Sequence, residues 1–391
     1  MSEIEDALSR ESTGLRSVSL ELHSHPELSG SEARAHALLT DFLEERGFTV
    51  TRGAANLATA FIAKWSSDCA DSEAVEVAFL SEYDALPGIG HACGHNLIAI
   101  SGLGAALALK AHVAGHGLNA RITLFGTPAE ETWGGKINFI EAGAFKDIDL
   151  AMMVHPGNVN VTYAKYLALS QVLVDFHGKA AHAASNPWEG VNALDAAVVA
   201  YNSMSMLRQQ MLPSTRIHAV IKKGGEAANV IPDYTQVEFM MRTEKLATLQ
   251  TLIPKMNAIF QAAADSAGCT HTTARDPIFE DVVINSHLAA RFERYAREGG
   301  CTFAPREVQE SKSYGSTDMG NVTHVVPGIH PVFDIECTEG DIHTNDFREG
   351  ACTETAHKAT LRAAKCLALT AVDFITDQDF RRAVREEFLN N

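Results

Sequence analysis

No stretch of this chain approaches the roughly 20 consecutive apolar residues that a membrane-spanning helix needs. The apolar run after His95 is interrupted by Ser101, Gly102 and Gly104. Positive charge is scarce as well. Lys and Arg number 32 against 49 Asp and Glu, a net charge of −17 at pH 7. Binding a nucleic-acid backbone needs a Lys/Arg surface that displaces counterions, so that class of partner is excluded. The start, MSEIEDALSRES, is acidic and has no apolar core, so neither a signal peptide nor an Arg-rich transit peptide is expected. The C-terminus carries no anchor or lipidation motif. Repeats and low-complexity tracts are missing. The seven cysteines are odd in number and scattered, which predicts a reduced, cytoplasmic chain whose thiols are mostly small buried hydrophobes. Cys93 stands apart for the reasons below.

What is present is ordinary globular material, with 46% hydrophobic and 21% charged residues over 391 positions. That length suggests about two domains. Ser29-Gly-Ser-Glu32 has capping-box spacing and predicts a helix carrying Ala35, Leu38, Leu39 and Phe42, stopped at Gly47. Strands are expected over Val75–Leu80, Arg121–Phe125 and Leu150–Val154, with helices near 96–112 and 136–142 between them. This alternation predicts a parallel α/β sheet. From about Ala168 the pattern becomes β-α-β-β-α: strands 170–177, 217–222 and 235–243, helices 190–211 and 246–266. That order suggests a ferredoxin-like α+β unit. After Ile278 helices and short strands return, and a long helix begins near Ala351. The fold expected is a discontinuous α/β domain, residues 1–167 and 279–391, with an α+β domain inserted at 168–278.

Reactive side chains recur just past the expected strand ends. Ser81-Glu-Tyr-Asp-Ala-Leu-Pro-Gly and His91-Ala-Cys93-Gly-His95-Asn96 follow the first strand. Thr127-Pro-Ala-Glu130-Glu131 follows the second, His155-Pro-Gly the third, and Asp341-Ile-His343-Thr-Asn a later one. In open α/β sheets that edge is where sites form. A lone Cys-x-His or Glu-Glu pair is commonplace; four such groups at one edge are not. Thiolate, imidazole and carboxylate are ligands for Zn²⁺ and related ions. A pair of such ions polarises a carbonyl and activates water, and a neighbouring carboxylate free of metal can serve as general base.

These motifs, running from His23-Ser-His-Pro-Glu-Leu-Ser to His343-Thr-Asn, resemble the peptidase M20 superfamily, in its amidohydrolase subfamily. The resemblance implies a zinc-peptidase-like catalytic domain with an inserted lid and dimerisation domain. It implies two divalent ions, Zn²⁺ by preference with Mn²⁺ or Co²⁺ as alternatives, on Cys93, His95, Glu131, His155 and His343. It makes Glu130 the general base and His182, in Gly178-Lys-Ala-Ala-His-Ala-Ala-Ser, a stabiliser of the oxyanion, often across a dimer interface. Asn229, in Asn-Val-Ile-Pro-Asp, and Arg242 match positions that hold substrate. The implied activity is cleavage of an amide bond in a dipeptide or an N-acyl or N-aroyl amino acid by a homodimer that needs neither nucleic acid nor membrane. Asn96 departs from the common Cys-Gly-His-Asp; such a neutral neighbour tunes ligand orientation and metal affinity. With Gly315-Ser-Thr-Asp-Met-Gly-Asn-Val and Val326-Pro-Gly-Ile-His-Pro, it resembles the branch of aminobenzoyl-glutamate hydrolases and M20 domain-containing dipeptidases.

Plainer readings stand beside these. His23 and His25 read as structural, His91 and Asp84 as ligand-orienting or turn residues, and His324 and His330 as pocket wall. Met204, Met206 and Met211 read as helix packing. Two other functions remain open to the sequence: an amide-forming synthase on the same fold, and a non-catalytic metal-stabilised binding protein.

Overall fold

The computed structural model describes residues 2–337 and 340–391. The chain divides into two compact units, Met1–Lys165 with Val282–Asn391, and Tyr166–Asp281.

The first unit opens with a helix that the sequence patterning did not lead us to expect, α1 (Ser2–Ser24). Its buried Ile4, Leu8, Leu15, Val18 and Leu22 recur at three-, four- and seven-residue steps, so the acidic start is the outward side of an amphipathic helix. α2 (Ala33–Glu44) follows, but not through the expected capping box. Glu32 is fully buried, and its carboxylate accepts from the amides of Gly30 (2.8 Å) and Ala129 (3.0 Å) and from the Thr59 hydroxyl (2.7 Å). The free amides of Arg34 and Ala35 donate instead to the Glu27 carboxylate, at 3.0 and 2.8 Å.

Next come β1 (Thr49–Arg52), β2 (Phe61–Ser66), β3 (Val75–Ser81), α3 (His95–His116), β4 (Ala120–Gly126), α4 (Gly135–Glu141), β5 (Leu150–Met152) and β6 (His155–Gly157). The strand expected over 150–154 ends at Met152, and a second short strand opens at His155. The inserted unit contains β7 (Ala168–His177), α5 (Ala193–Met206), β8 (Arg216–Lys223), β9 (Tyr234–Thr243), α6 (Leu246–Ala267) and β10 (Thr270–Arg275). The chain then returns with α7 (Ser286–Glu298), α8 (Arg306–Gln309), α9 (Met319–Thr323), β11 (Gly328–Ile329), β12 (Val332–Asp334), α10 (Asn345–Gly350), α11 (Glu354–Thr376) and α12 (Gln378–Asn390).

The main sheet of the first unit runs β1-β2-β4-β3-β5-β11. β4, β3, β5 and β11 are parallel, as expected. The β1–β2 edge is antiparallel and was not foreseen, because Thr49–Arg52 is short and mostly exposed. β6 and β12 pair in a separate two-stranded sheet. The parallel strand β3 is buried throughout, the pattern of strands covered on both faces.

α3 is the core helix. By length and composition alone it could cross a membrane, yet 83% of its apolar window is buried. α1, α11 and β3 pack around it. Its small residues permit that approach. A Cβ on Gly102 would come within 2.3 Å of Ser81 Oγ and 2.9 Å of the Leu80 carbonyl.

The second unit is a four-stranded antiparallel sheet, β10-β7-β9-β8, with α5 and α6 against it, so the ferredoxin-like pattern is complete. Its last strand was missed because Thr-His-Thr-Thr-Ala-Arg has no buried residue to set an alternation. Met204 is buried and Met211 packs on that unit's core, but Met206 is 70% exposed and packs little. All seven cysteines are free thiols; only Cys93, Cys269 and Cys366 are buried, fewer than expected.

Substituting Gly102→Val should push α3 away from β3 and cost about 1–3 kcal/mol, as overpacked cores do. Urea denaturation of the variant against wild type reads this directly.

Candidate active site

The first unit gathers the reactive residues at the C-terminal ends of its strands. Cys93 and His95 flank Gly94 where the loop after β3 enters α3. Gly94 has φ +81, and a Cβ there would lie 2.5 Å from Pro156 Cγ. Glycine thus lets the Cys93–His95 turn close onto the strand that carries His155. Cys93 Sγ lies 3.4 Å from His155 Nε2. The other His155 nitrogen, Nδ1, donates to the Pro156 carbonyl at 2.7 Å, which leaves Nε2 as the lone-pair nitrogen.

His95 is oriented in the same way. Its Nδ1 donates to Asp84 Oδ1 at 3.1 Å, and its fully buried Nε2 has no hydrogen-bond partner. That nitrogen faces Glu82 at 3.5 Å, Glu131 at 3.8 Å and Glu130 at 4.0 Å. His343 Nε2 lies 3.5 Å from Glu131 Oε1. The His343 amide donates to the Ala92 carbonyl at 2.8 Å, tying this late turn to the loop of Cys93.

Ligand atoms fall into three overlapping sets, each within 4.8 Å: Cys93, His95 and His155; Cys93, Glu131 and His343; Glu82, His95 and Glu130. The five residues expected as metal ligands are thus brought together, with Glu130 beside them. The donor set fits divalent ions. The buried Glu82 Oε2, His95 Nε2 and Glu131 Oε1 all lack hydrogen-bond partners. Burial and the Glu131 charge push the Cys93 thiol well above its ordinary pKa. Such a thiol becomes a thiolate ligand only beside a cation.

Asp84 resolves in favour of orientation. Besides His95, its carboxylate accepts from Ser29 Oγ (2.8 Å) and the Glu131 amide (3.0 Å). Burial raises its pKa, but the His95 hydrogen bond and charge outweigh this and leave it lowered to about 2. His91 is buried and neutral, its pKa lowered to about 3 chiefly by burial. His23 bonds the Arg348 carbonyl at 2.8 Å, a structural contact as expected. His330 is buried, its ring edge-on to His155 with centroids 5.8 Å apart. Asn96 does not act on a ligand. Its amide donates to Ser19 Oγ (2.9 Å) and the Ala351 carbonyl (3.1 Å), binding α3 to α1 and to the residue after α10.

Sequence reasoning missed Glu82, Lys136 and Asp318. The fully buried Lys136 ammonium lies between the Glu82 and Asp318 carboxylates, and its backbone amide donates to Asp318 at 2.9 Å. Burial would lower its pKa, but Asp318 and Glu82 raise it above the ordinary lysine value. Only position could have signalled Glu82, one residue past β3. Nothing local marks Lys136, whose partners are distant in sequence. Glu130 is pushed well above the usual carboxylate range by burial, then by Glu82, Glu131 and Asp318. Glu131 moves the other way: burial raises it, but the nearby His343 imidazole and the His95 charge leave it lowered.

In the second unit, His182 and Asn229 are exposed on paired loops. His182 bridges Val230, and the Ala183 amide donates to the Asn229 carbonyl at 3.0 Å. Both the Ala184 and Ser185 amides donate to His182 Nδ1 at 3.1 Å. Nδ1 is therefore an acceptor, and the ring proton sits on Nε2. Arg242 is not brought to this pair. It lies eight residues along β9 from Tyr234, roughly 27 Å at strand rise. It is half-buried, and its Nε has no hydrogen-bond partner.

The M20 peptidase dimerisation domain matches residues 168–267, most of this second unit. Over 384 residues the chain is 43% identical to the Xaa-Arg dipeptidase of Mus musculus, covering 96% of this chain and 88% of that one. The chain belongs to the peptidase M20 family. This M20 enzyme is also 26% identical to a p-aminobenzoyl-glutamate hydrolase polypeptide of Escherichia coli (strain K12), over 98% and 94% of the two chains. The solved YXEP protein of Bacillus subtilis, a dinuclear metal binding peptidase from the M20 family, shares the fold. Its TM-score is 0.65 at 20% identity, over 91% of this chain and 98% of that one. The chain is a metal-dependent hydrolase of amide bonds.

Asp84→Asn should lower metal affinity by roughly 10–100-fold, because His95 loses the carboxylate that fixes its tautomer. Competition with a chromogenic chelator measures it. Lys136→Met leaves two buried carboxylates facing each other and should cost about 3–5 kcal/mol in chemical denaturation. Adding Glu82→Gln and Asp318→Asn to that variant should recover part of the loss.

Proposed function

We propose that this M20 enzyme cleaves the peptide bond of dipeptides, with Glu130 as general base. N-acyl and N-aroyl amino acids with a free carboxylate belong to the same substrate class. The observation that carries the reading is Glu130 itself. Its carboxylate is buried at the rim of a donor set of Cys93, His95, Glu131, His155 and His343 that is sufficient without it. Its raised proton affinity suits a group that must take a proton and give it back.

Those five residues would hold two divalent ions, Zn²⁺ by the preference of a Cys/His/carboxylate set, with Mn²⁺ or Co²⁺ as substitutes. Bound there, such ions supply Lewis acidity toward the carbonyl and make water a nucleophile at neutral pH. Glu130 accepts the proton of the attacking water and returns it to the leaving amine nitrogen. The Nε2–H of His182 donates to the carbonyl oxygen as negative charge builds on it. Asn229 and Arg242 hold the substrate, Arg242 through its carboxylate. Arg242 lies roughly 27 Å along β9 from Tyr234, the end of the strand toward Asn229, a span longer than a dipeptide. His182 and Asn229 of one copy are therefore proposed to work with Arg242 of another. The dimerisation-domain match supports that homodimer. The likeness to a dipeptidase named for arginine favours dipeptides with a basic C-terminal residue as the first substrates to try.

The test is metal content together with hydrolysis of dipeptides, aminobenzoyl-glutamate and N-acyl amino acids, on wild type and Glu130→Gln. Glu130→Gln should keep its metal and lose roughly 10²–10⁴-fold in kcat. A metal-loaded wild type that cleaves nothing on the panel would sink the proposal.

A further inference from the structure

α3 begins at His95, a ligand of the catalytic site, and ends at His116. Its last turns carry a separate group of metal-ligating side chains. His112 and His116 are four residues apart, so they share one helix face. Their ring centroids are 4.1 Å apart, with planes 33° from parallel. Glu3, in the first turn of α1, faces them, with Oε2 3.7 Å from His112 Nδ1. One ligand atom from each of the three residues lies within 4.8 Å of the others.

We propose that Glu3, His112 and His116 form a third, peripheral divalent-metal site that takes Zn²⁺ or an ion of similar ligand preference. Seventeen residues of helix, about 26 Å, separate it from His95. Two features favour an ion over a bare ring stack. First, His112 is only 9% exposed, and its Nδ1 has no hydrogen-bond partner; it points toward a carboxylate too distant to bond it. A buried nitrogen left in that state is costly unless something binds it. Second, His116 Nδ1 donates to the His112 carbonyl at 3.0 Å, which leaves Nε2 as the lone-pair nitrogen. That fixed tautomer is the usual arrangement of an imidazole ligand.

Two imidazoles at i, i+4 with a carboxylate make a three-ligand set, and water completes the tetrahedron. Ligands around such an ion stand about 3.3 Å apart. The set must therefore close by an ångström or so, which the exposed His116 and the partly exposed Glu3 can do by rotamer adjustment. Ile4 and Leu8 anchor α1 in the core just after this contact, so the ion would clip the start of the chain to the end of α3.

Zn²⁺ binding by equilibrium dialysis and elemental analysis tests this, on wild type, His116→Ala, Glu3→Gln and the control His287→Ala. His116 and His287 are exposed, so neither change should disturb folding. Wild type and His287→Ala should bind one ion more per chain than His116→Ala, with dipeptide hydrolysis unchanged in all three. Zn²⁺ should raise the melting temperature further in wild type than in His116→Ala. Equal stoichiometry in wild type and His116→Ala, or a difference seen only at millimolar Zn²⁺, overturns the proposal. The readout is a difference between variants, so it is independent of what the catalytic residues hold.

Discussion

The first unit is organised around concentrated negative charge in a place without water. Glu82, Asp84, Glu130 and Asp318 are all buried at one end of the parallel strands, with Glu131 beside them. Among the described residues Lys136 is the one fully buried ammonium that answers them. Unpaired buried carboxylates are expensive, and attraction repays the cost only where geometry and hydrogen bonding are good. The structure divides the load. Asp84 is satisfied by three donors, Glu82 and Asp318 share the ammonium, and the remaining oxygen and nitrogen lone pairs converge where cations belong. The same arrangement separates two adjacent carboxylates, Glu130 held protonated more readily and Glu131 less so. Two neighbours in sequence are thereby fitted for different tasks.

Holding those two side chains apart requires an unusual backbone. Ala129, just before them, has φ +62, and His343 has φ +67. Left-handed conformations of this kind cost on the order of 1–3 kcal/mol and persist where surroundings over-determine them. At Ala129 the surroundings are Glu32, whose carboxylate binds the Ala129 amide, and Asp84, which binds the Glu131 amide. The loop carrying the proposed base is thus fixed from both sides by carboxylates of other loops. Each of these is buried, and each is distant in sequence.

The sequence carried the parts of this design that are local. The β-to-α alternation, the ferredoxin-like pattern and the clustering of donor residues past strand ends could all be read, because each rests on periodicity or on a short motif. α1 escaped because its charged outward side dominates the composition of its first twelve residues. β1 and β10 escaped because exposed short strands leave no alternation. Glu32 has the spacing of a capping residue, and only the fold shows that its partners are Ala129 and Thr59. Lys136 pairs with Glu82 and Asp318, 54 and 182 residues away. No local pattern encodes a contact of that range. Arg242 was grouped with Asn229 by motif, and the length of β9 separates them.

The burial of α3 also bears on how the protein is made. The helix is apolar around its whole circumference, and it is covered by α1 from the start of the chain and α11 from near its end. A ribosome completes α1, α3 and the whole of Tyr166–Asp281 before α11 exists. During that interval the inserted unit has all of its own sheet and helices, while α3 still lacks one of its covering faces. A nascent chain with a long uncovered apolar helix is a natural client for chaperones. The discontinuity of the first unit therefore leaves α3 partly uncovered until the last part of the chain has been made.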